Sequence, residues 1–145
     1  MPTPTVMNSF KLGQVNGAHP IDFDTDTIKA VILTNAYSFS QAHEFLSDIN
    51  ANEVSGAGYT AGGIALAGKT VALDGNAVEF AHNDLTIAQN AAGFANGRHW
   101  AWIKDTGVAA TSPLIMIMTE ASDFGNVAGD LILDADPATG VLRWP

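Results

Sequence analysis

Apolar residues along this chain alternate with polar ones or run together in short stretches, a pattern typical of β-strands rather than helices. The clearest stretch, residues 27–34, begins with alternation and becomes apolar on both faces between residues 30 and 33. Successive side chains of a strand point to opposite faces of the sheet, so such a run needs cover on both sides. This segment is therefore predicted to be a central, buried strand.

Further segments have the same character. An Asp74-Gly75-Asn76 turn between two alternating runs predicts a tight hairpin, because an Asp-Gly pair tolerates the positive φ angles of such turns. Residues 114–118 are apolar on both faces and predict a second central strand, in a hairpin with residues 98–104. The predicted strands after residue 34 are residues 70–73, 77–80, 85–88, 98–104, 114–118, 130–133 and 141–144.

Short strands at hairpin spacing, about seven or eight of them, predict an all-β fold when no long 3.6-residue periodicity accompanies them. We expect an antiparallel β-sandwich, either jelly-roll or immunoglobulin-like, as a single domain over residues 21–145. Residues 1–20 contain early prolines and isolated apolar residues, and are predicted to form an extended N-terminal arm. The pattern leaves open whether the arm packs on its own domain or reaches a neighbouring molecule.

The charge content modifies this interpretation. Only 14% of the 145 residues are charged, against about 25% in typical soluble domains. More of the surface must therefore be neutral or apolar, which favours a protein partly covered by neighbours. With a net charge of −9 and scattered basic residues, the chain has no basic patch for nucleic acid, and we expect none as a partner.

Cysteine is absent, which excludes disulfides, thiol catalysis and thiolate zinc sites. The N-terminus shows neither the basic region nor the apolar region of a signal peptide. No apolar run approaches the roughly 20 residues of a membrane-spanning helix. We therefore expect no membrane partner.

One segment matches the dinucleotide-binding pattern G-x-G-x-x-A, namely residues 56–61. That site needs a buried strand before the glycines and a helix after them, whose N-terminus holds the pyrophosphate. Here the preceding residues are mostly polar, and Gly62 and Gly63 would break a helix. A flexible loop is the favoured interpretation, and no cofactor is expected.

Asp22, Asp24 and Asp26 match positions 1, 3 and 5 of a calcium-binding loop. The glycine expected at position 6 is Thr27, and the glutamate expected at position 12 is Leu33. An ordinary acidic turn is therefore favoured, and no metal is expected, although a weak cation at an interface stays possible.

Other residue types give no site. His19, His43, His82 and His99 lack the spacing of a metal motif, and no G-x-S-x-G nucleophile elbow is present. The three tryptophans suggest either an aromatic sugar-binding platform or core packing, and their alternation along strands favours the core. No catalytic residue is proposed from the sequence. The tryptophans are Trp100, Trp102 and Trp144.

Several longer segments carry a resemblance to a known family. They are residues 21–37, 51–63, 104–107 and 110–115, which are spread over most of the chain, and 51–63 is quite specific. Together they resemble a family of small virion proteins of tailed bacteriophages. The chain departs from the family pattern in the alanine-rich residues 91–97 and in the strand containing Met116 and Met118.

The resemblance implies a non-enzymatic virion protein, made in the host cytoplasm. The first hypothesis is a capsid decoration, or cement, protein that binds the major capsid protein on the outer head surface and stabilises capsomer contacts. Decoration proteins often form trimers, so a homo-oligomer, with a trimer favoured, is also implied. The alternative is a tail, neck or fibre component whose exposed loops bind a host surface or glycan. A soluble hydrolase is a third hypothesis, against which the missing motifs argue.

Overall fold

The computed structural model describes residues 3–135 and 142–144. Within this part of the chain, strands dominate and all of them pair antiparallel. The all-β antiparallel, sandwich-like prediction is confirmed. The strands are β1 Thr5–Val6, β2 Ile28–Thr34, β3 Ile64–Ala65, β4 Thr70–Asp74, β5 Ala77–Ala81, β6 Leu85–Ile87, β7 Gly97–Lys104, β8 Leu114–Phe124, β9 Leu131–Leu133 and β10 Leu142–Trp144.

Three sheets contain these strands. The main sheet has the order β1-β8-β7-β2-β3, a second has the order β10-β5-β4, and β6 pairs with β9. The predicted hairpins β4–β5 and β7–β8 both form. The last two strands pair with β6 and β5 rather than with each other, and Val141, predicted to begin the final strand, lies outside the described residues.

The prediction of a central, doubly covered strand is confirmed. In β2 every residue except the two polar ones, Lys29 and Thr34, is buried. On one face of the main sheet Trp100 and Trp102 lie opposite Ile32 and Ala30 of β2. Residues paired across antiparallel strands share a face, so these side chains form one apolar layer.

Phe23 connects this layer to the second sheet. Its ring centroid lies 5.2 Å from that of Trp102 and 5.1 Å from that of Phe80 on β5. On the opposite face Tyr37 packs edge-on against His99, with centroids 5.2 Å apart. The main sheet is therefore covered on both faces, as its two-sided apolar strands require.

The prediction of an extended N-terminal arm is wrong. Residues Asn8–Asn16 form an α-helix, α1, which follows the short strand β1. Phe10 is only 3% exposed and packs against Trp144 of β10, with ring centroids 5.5 Å apart. Met7 is fully buried and donates its N–H to the Ile115 carbonyl at 3.0 Å. The described part of the arm thus packs on its own chain.

The local sequence gives this helix little support. It has no side-chain N-cap, no acidic residue in its first turn and no basic residue in its last, so neither capping nor the helix dipole favours it. It ends at Gly17, whose φ of 74° is accessible to glycine. Short helices depend mainly on tertiary packing, here the burial of Phe10.

One buried side chain fastens three loops at the end of the main sheet. Asn126 is fully buried, and its amide donates to the carbonyls of Ala57 at 2.9 Å and Ala88 at 3.0 Å. The same amide accepts the N–H of Phe94 at 3.1 Å. Gly93 lies so close that a Cβ atom there would clash with the Asn126 amide oxygen. This end of the fold is therefore joined by the Asn126 side chain together with backbone hydrogen bonds between loops, such as that from the Asn126 N–H to the Phe94 carbonyl.

Candidate interaction surface

The glycine-rich loop that matches the dinucleotide pattern is fastened to the main sheet. Both carboxylate oxygens of Glu53 accept the N–H of Gly62, and one also accepts the Tyr59 hydroxyl at 3.0 Å. The Tyr59 oxygen in turn accepts the N–H of Ile32 at 3.2 Å. Gly63 approaches β2 so closely that a Cβ would lie 2.6 Å from the Ala30 carbonyl oxygen.

The loop interpretation is therefore confirmed, but the loop is held in place rather than free. No helix follows its glycines, so it lacks the helix N-terminus that a dinucleotide site needs. Burial raises the pKa of Glu53. The hydrogen bonds from Gly62 and Tyr59 lower this pKa, but they only partly offset the effect of burial. Burial also raises the pKa of Tyr59 well above its usual value.

The acidic turn uses its carboxylates internally. Asp22 accepts the backbone N–H groups of Asp24 and Thr25, and Asp26 accepts the N–H of Asp22 at 2.9 Å. Lys104 lies 2.9 Å from the Asp26 carboxylate. Burial opposes ionisation of Asp26, but the bonds from Lys104 and the Asp22 N–H outweigh it and lower the pKa. Residues 3–135 and 142–144 contain no group of three or more acidic or histidine side chains arranged for a metal ion.

The four histidines are dispersed. His19 pairs with Glu44 at 2.7 Å, His43 bonds the Tyr37 hydroxyl at 2.7 Å, and His99 bonds Thr119 at 2.9 Å. His82 is buried, and its Nδ1 bonds the Asn83 carbonyl at 2.6 Å. A carbonyl is only an acceptor, so Nδ1 carries the proton and Nε2 has a lone pair.

His82 packs against the tryptophan layer. Its ring centroid lies 5.2 Å from that of Trp102 and 6.3 Å from that of Trp100. Both tryptophans are buried, so the core interpretation is confirmed for them, and Trp144 is half-buried against Phe10. Burial lowers the pKa of His82, because charging the ring in an apolar environment is costly.

Strand β4 lies outside the closed apolar core. Each of its five residues is exposed, and Leu73 is 77% exposed. β4 pairs with β5 on one side, and no other strand among residues 3–135 and 142–144 pairs with its outer edge. An open edge of this kind presents unpaired N–H and C=O groups to a partner.

The sheet that contains β4 is amphipathic. Across β4, β5 and β10, Leu73 lies opposite Val78, and Val78 lies opposite Trp144. Val71 similarly continues the row of Phe80 and Leu142. These residues share one face, of which the β10 side is covered by the core. At β4 the same apolar face extends beyond the core and is exposed.

The other face of this sheet is polar. Arg143 lies opposite Glu79 and forms ion pairs with Asp74 at 2.6 Å and with Glu79 at 3.5 Å. The charges therefore lie on the side away from Val71 and Leu73, because residues two apart on a strand share a face.

A second exposed region lies between β8 and β9. Residues 120–123 bulge from β8, because Thr119 pairs with His99 while Phe124 already pairs with Gly97. A groove with a cavity of about 220 Å³ separates this bulge from β9. Its lining includes Glu120, Phe124 and Ile132, and Ile132 is largely exposed.

Neither surface was identified from the sequence. The alternation in β4 predicts a half-buried strand, which is the normal meaning of such a pattern. Whether another strand covers it depends on sheet order, which no local pattern encodes. Comparisons of the chain with protein-family models, with curated proteins and with solved structures found no match. No helix in the described residues is long and apolar enough to span a membrane.

Proposed function

We propose that this protein is a non-enzymatic structural protein of a phage virion, and specifically a capsid decoration protein. It binds the major capsid protein on the outer head surface and holds neighbouring capsomers together. The resemblance of residues 21–37 and 51–63 to small virion proteins supports the virion assignment.

The observation that carries an assembly role is the exposed apolar edge of β4. A strand with Leu73 77% exposed and an outer edge unpaired within the described residues is suited to burial against another protein. The low charge content, 14% of the chain, points the same way. Both features are expected of a protein whose surface is partly buried against other molecules.

The proposal includes several copies acting together. A homo-oligomer, with a trimer as the form that the resemblance implies, presents the same capsid-binding surface more than once. Linked contacts act multivalently, so a modest affinity at each contact gives firm attachment to the shell.

The N-terminal segment is not available as a free tether, since Met7 and Phe10 are buried in the fold. We assign the capsid contact instead to the groove between β8 and β9. It combines the apolar side chains of Phe124 and Ile132 with the carboxylate of Glu120. Protein interfaces likewise combine an apolar core with a polar rim.

The experiment adds the purified full chain to heads of the parent phage that lack it. We expect saturable binding at a fixed number of copies per head and a higher temperature of head rupture. Ile132→Lys should reduce occupancy at least tenfold, whereas Val15→Lys should not, because Val15 is exposed on α1, outside the groove lining.

Two results would contradict the proposal. If the parent protein binds purified tails and not heads, the tail, neck or fibre alternative replaces it. If it binds neither and fractionation of virions finds no copy of it, the virion assignment falls.

A further inference from the structure

The direction of the backbone groups in β4 follows from its hairpin. Asp74 and Ala77 close a two-residue turn in which Gly75 has a φ of 61°. In such a hairpin the closing pair exchanges hydrogen bonds, and bonded and non-bonded pairs then alternate along the strands. The N–H and C=O groups of Thr70, Ala72 and Asp74 therefore point to β5. Those of Val71 and Leu73 point to the open edge.

We propose that β4 of a second copy of this chain pairs with this edge, antiparallel and across a two-fold axis at Ala72. In this register Val71 lies opposite Leu73 of the second copy, and Leu73 lies opposite Val71. Each such pair joins residues whose backbone groups both point outward, so four hydrogen bonds form across the axis. The result is one six-stranded sheet.

The side chains of β4 fit this register on both faces. Val71 and Leu73 meet their counterparts on the apolar face, so each exposed side chain gains an apolar neighbour and buries part of its surface. On the polar face Thr70 lies opposite Asp74, and Ala72 faces Ala72. The Val71–Leu73 pairs supply the apolar contact between the two copies. On the polar face no like charges lie directly opposite.

Shifting the register weakens the contact. A two-fold axis at Leu73 would still pair Leu73 with its counterpart, but it would pair Val71 with Gly75 and Ala72 with Asp74. This register leaves Thr70 unpaired and Val71 without an apolar partner. An axis at Val71 leaves both Leu73 and Asp74 beyond the paired region. The register at Ala72 pairs all five residues of β4.

The edge also lacks three features that commonly prevent such pairing, and its one charge, Asp74, is paired with Arg143. Exposed edge strands usually carry lysine, proline or a bulge. β4 has none of these, and its register with β5 is regular from Thr70 to Asp74. The nearest lysine, Lys69, donates to the Asp26 carbonyl instead of projecting along the edge.

The exposed edge of β4 supports both proposals, but this contact is separate from the capsid contact, which is assigned to the groove between β8 and β9. It joins copies in pairs and would coexist with a separate three-fold contact. Failure of the protein to bind heads would therefore leave the β4 contact intact, and the reverse also holds.

The first test measures the mass of the full chain by light scattering and sedimentation over a range of concentrations. We expect an even number of copies for the parent. Leu73→Lys should halve that mass, whereas Leu12→Lys, a matched change at another exposed leucine, should not. Val71→Pro should also halve it, because it removes an outward N–H and leaves the β4–β5 ladder intact. Circular dichroism and melting confirm that each variant is folded.

The second test fixes the register by cross-linking, which the absence of native cysteine makes specific. Ala72→Cys places two thiols at a non-hydrogen-bonded pair, where Cα atoms are about 4.5 Å apart and a disulfide can form. Thr70→Cys on the same strand places them several residues apart. We expect rapid oxidation to a covalent dimer for Ala72→Cys and at least tenfold slower oxidation for Thr70→Cys.

A parent that stays monomeric at high concentration would overturn the proposal. So would an oligomer whose mass neither Leu73→Lys nor Val71→Pro changes, or equal cross-linking by the two cysteine variants. Because each copy has a net charge of −9, association should strengthen as salt rises from low concentration.

Discussion

The Tyr59 hydroxyl donates to a Glu53 carboxylate oxygen 3.0 Å away, and its oxygen accepts the backbone N–H of Ile32 in the central strand. One side chain therefore joins the glycine-rich loop to β2. The contact explains how a loop containing Gly56, Gly58, Gly62 and Gly63 keeps a single position against the sheet.

Tyr59→Phe should lower the free energy of unfolding by about 1–3 kcal/mol, because it leaves the Ile32 N–H and the Glu53 carboxylate with one partner fewer in a partly buried site. Urea unfolding measures the change. Tyr37→Phe is the matched control, since the Tyr37 hydroxyl bonds the side chain of His43 and no backbone group of the central strand. An equal loss in the two variants would contradict the special role of Tyr59.

Acid should destabilise the protein through its buried histidines. Burial lowers the pKa of His82, and burial together with Arg98 lowers that of His99, while both titrate near 6.5 when unfolded. The unfolded chain then binds more protons below pH 6.5, so stability present above that pH is lost as the pH falls through the folded pKa values. Each such histidine lowers the free energy of unfolding by up to about 1.4 kcal/mol for each pH unit of acidification within this range.

Glu53 acts in the opposite direction, because its raised pKa gives stability that is lost as the pH rises above about 4.5. The test therefore compares the free energy of unfolding of the parent with that of His82→Phe between pH 5 and pH 8. The parent should lose more stability than the variant below pH 6.5. If the free energies of unfolding of the two proteins change with pH in parallel, His82 does not contribute to the loss of stability in acid.

Phe10→Ala should destabilise the fold by about 3–5 kcal/mol, as expected for a buried phenylalanine. Leu12→Ala on the same helix should change stability by less than about 0.5 kcal/mol, because Leu12 is 64% exposed. Denaturant unfolding of both variants measures the difference. If the two changes have equally small effects, α1 is not anchored to the domain.

Calcium should not alter thermal stability. The Asp22 carboxylate already accepts two backbone N–H groups, and the Asp26 carboxylate faces Lys104. Melting temperatures in excess chelator and in millimolar calcium should agree within about one degree. A bound ion at 100 times its Kd would add about 2.7 kcal/mol and raise the melting temperature by several degrees, which would contradict the acidic-turn interpretation.

The central strands could be predicted because their information is local. β2 and the first half of β8 are apolar on both faces, which identifies a doubly covered strand wherever it lies in the chain. The β4–β5 hairpin can also be predicted from local sequence, because Asp74 and Gly75 fix its turn.

The remaining features depend on contacts between distant residues. α1 forms because Phe10 meets Trp144, which lies at the other end of the chain. The pairing of β10 with β5, like that of β9 with β6, joins segments that have no shared local signal. For the same reason the exposure of Leu73 could not be inferred, since it depends on which strand ends the sheet.

The bonds of Asn126 to Ala57, Ala88 and Phe94 have a consequence for motion. Loops usually open independently of one another, with low local free energies. Here the opening of any one loop leaves a buried amide without its partner, so the cost is shared by all three. These loops should behave as one cooperative unit in hydrogen exchange, with the Phe94 amide protected to the same degree as the neighbouring strand amides.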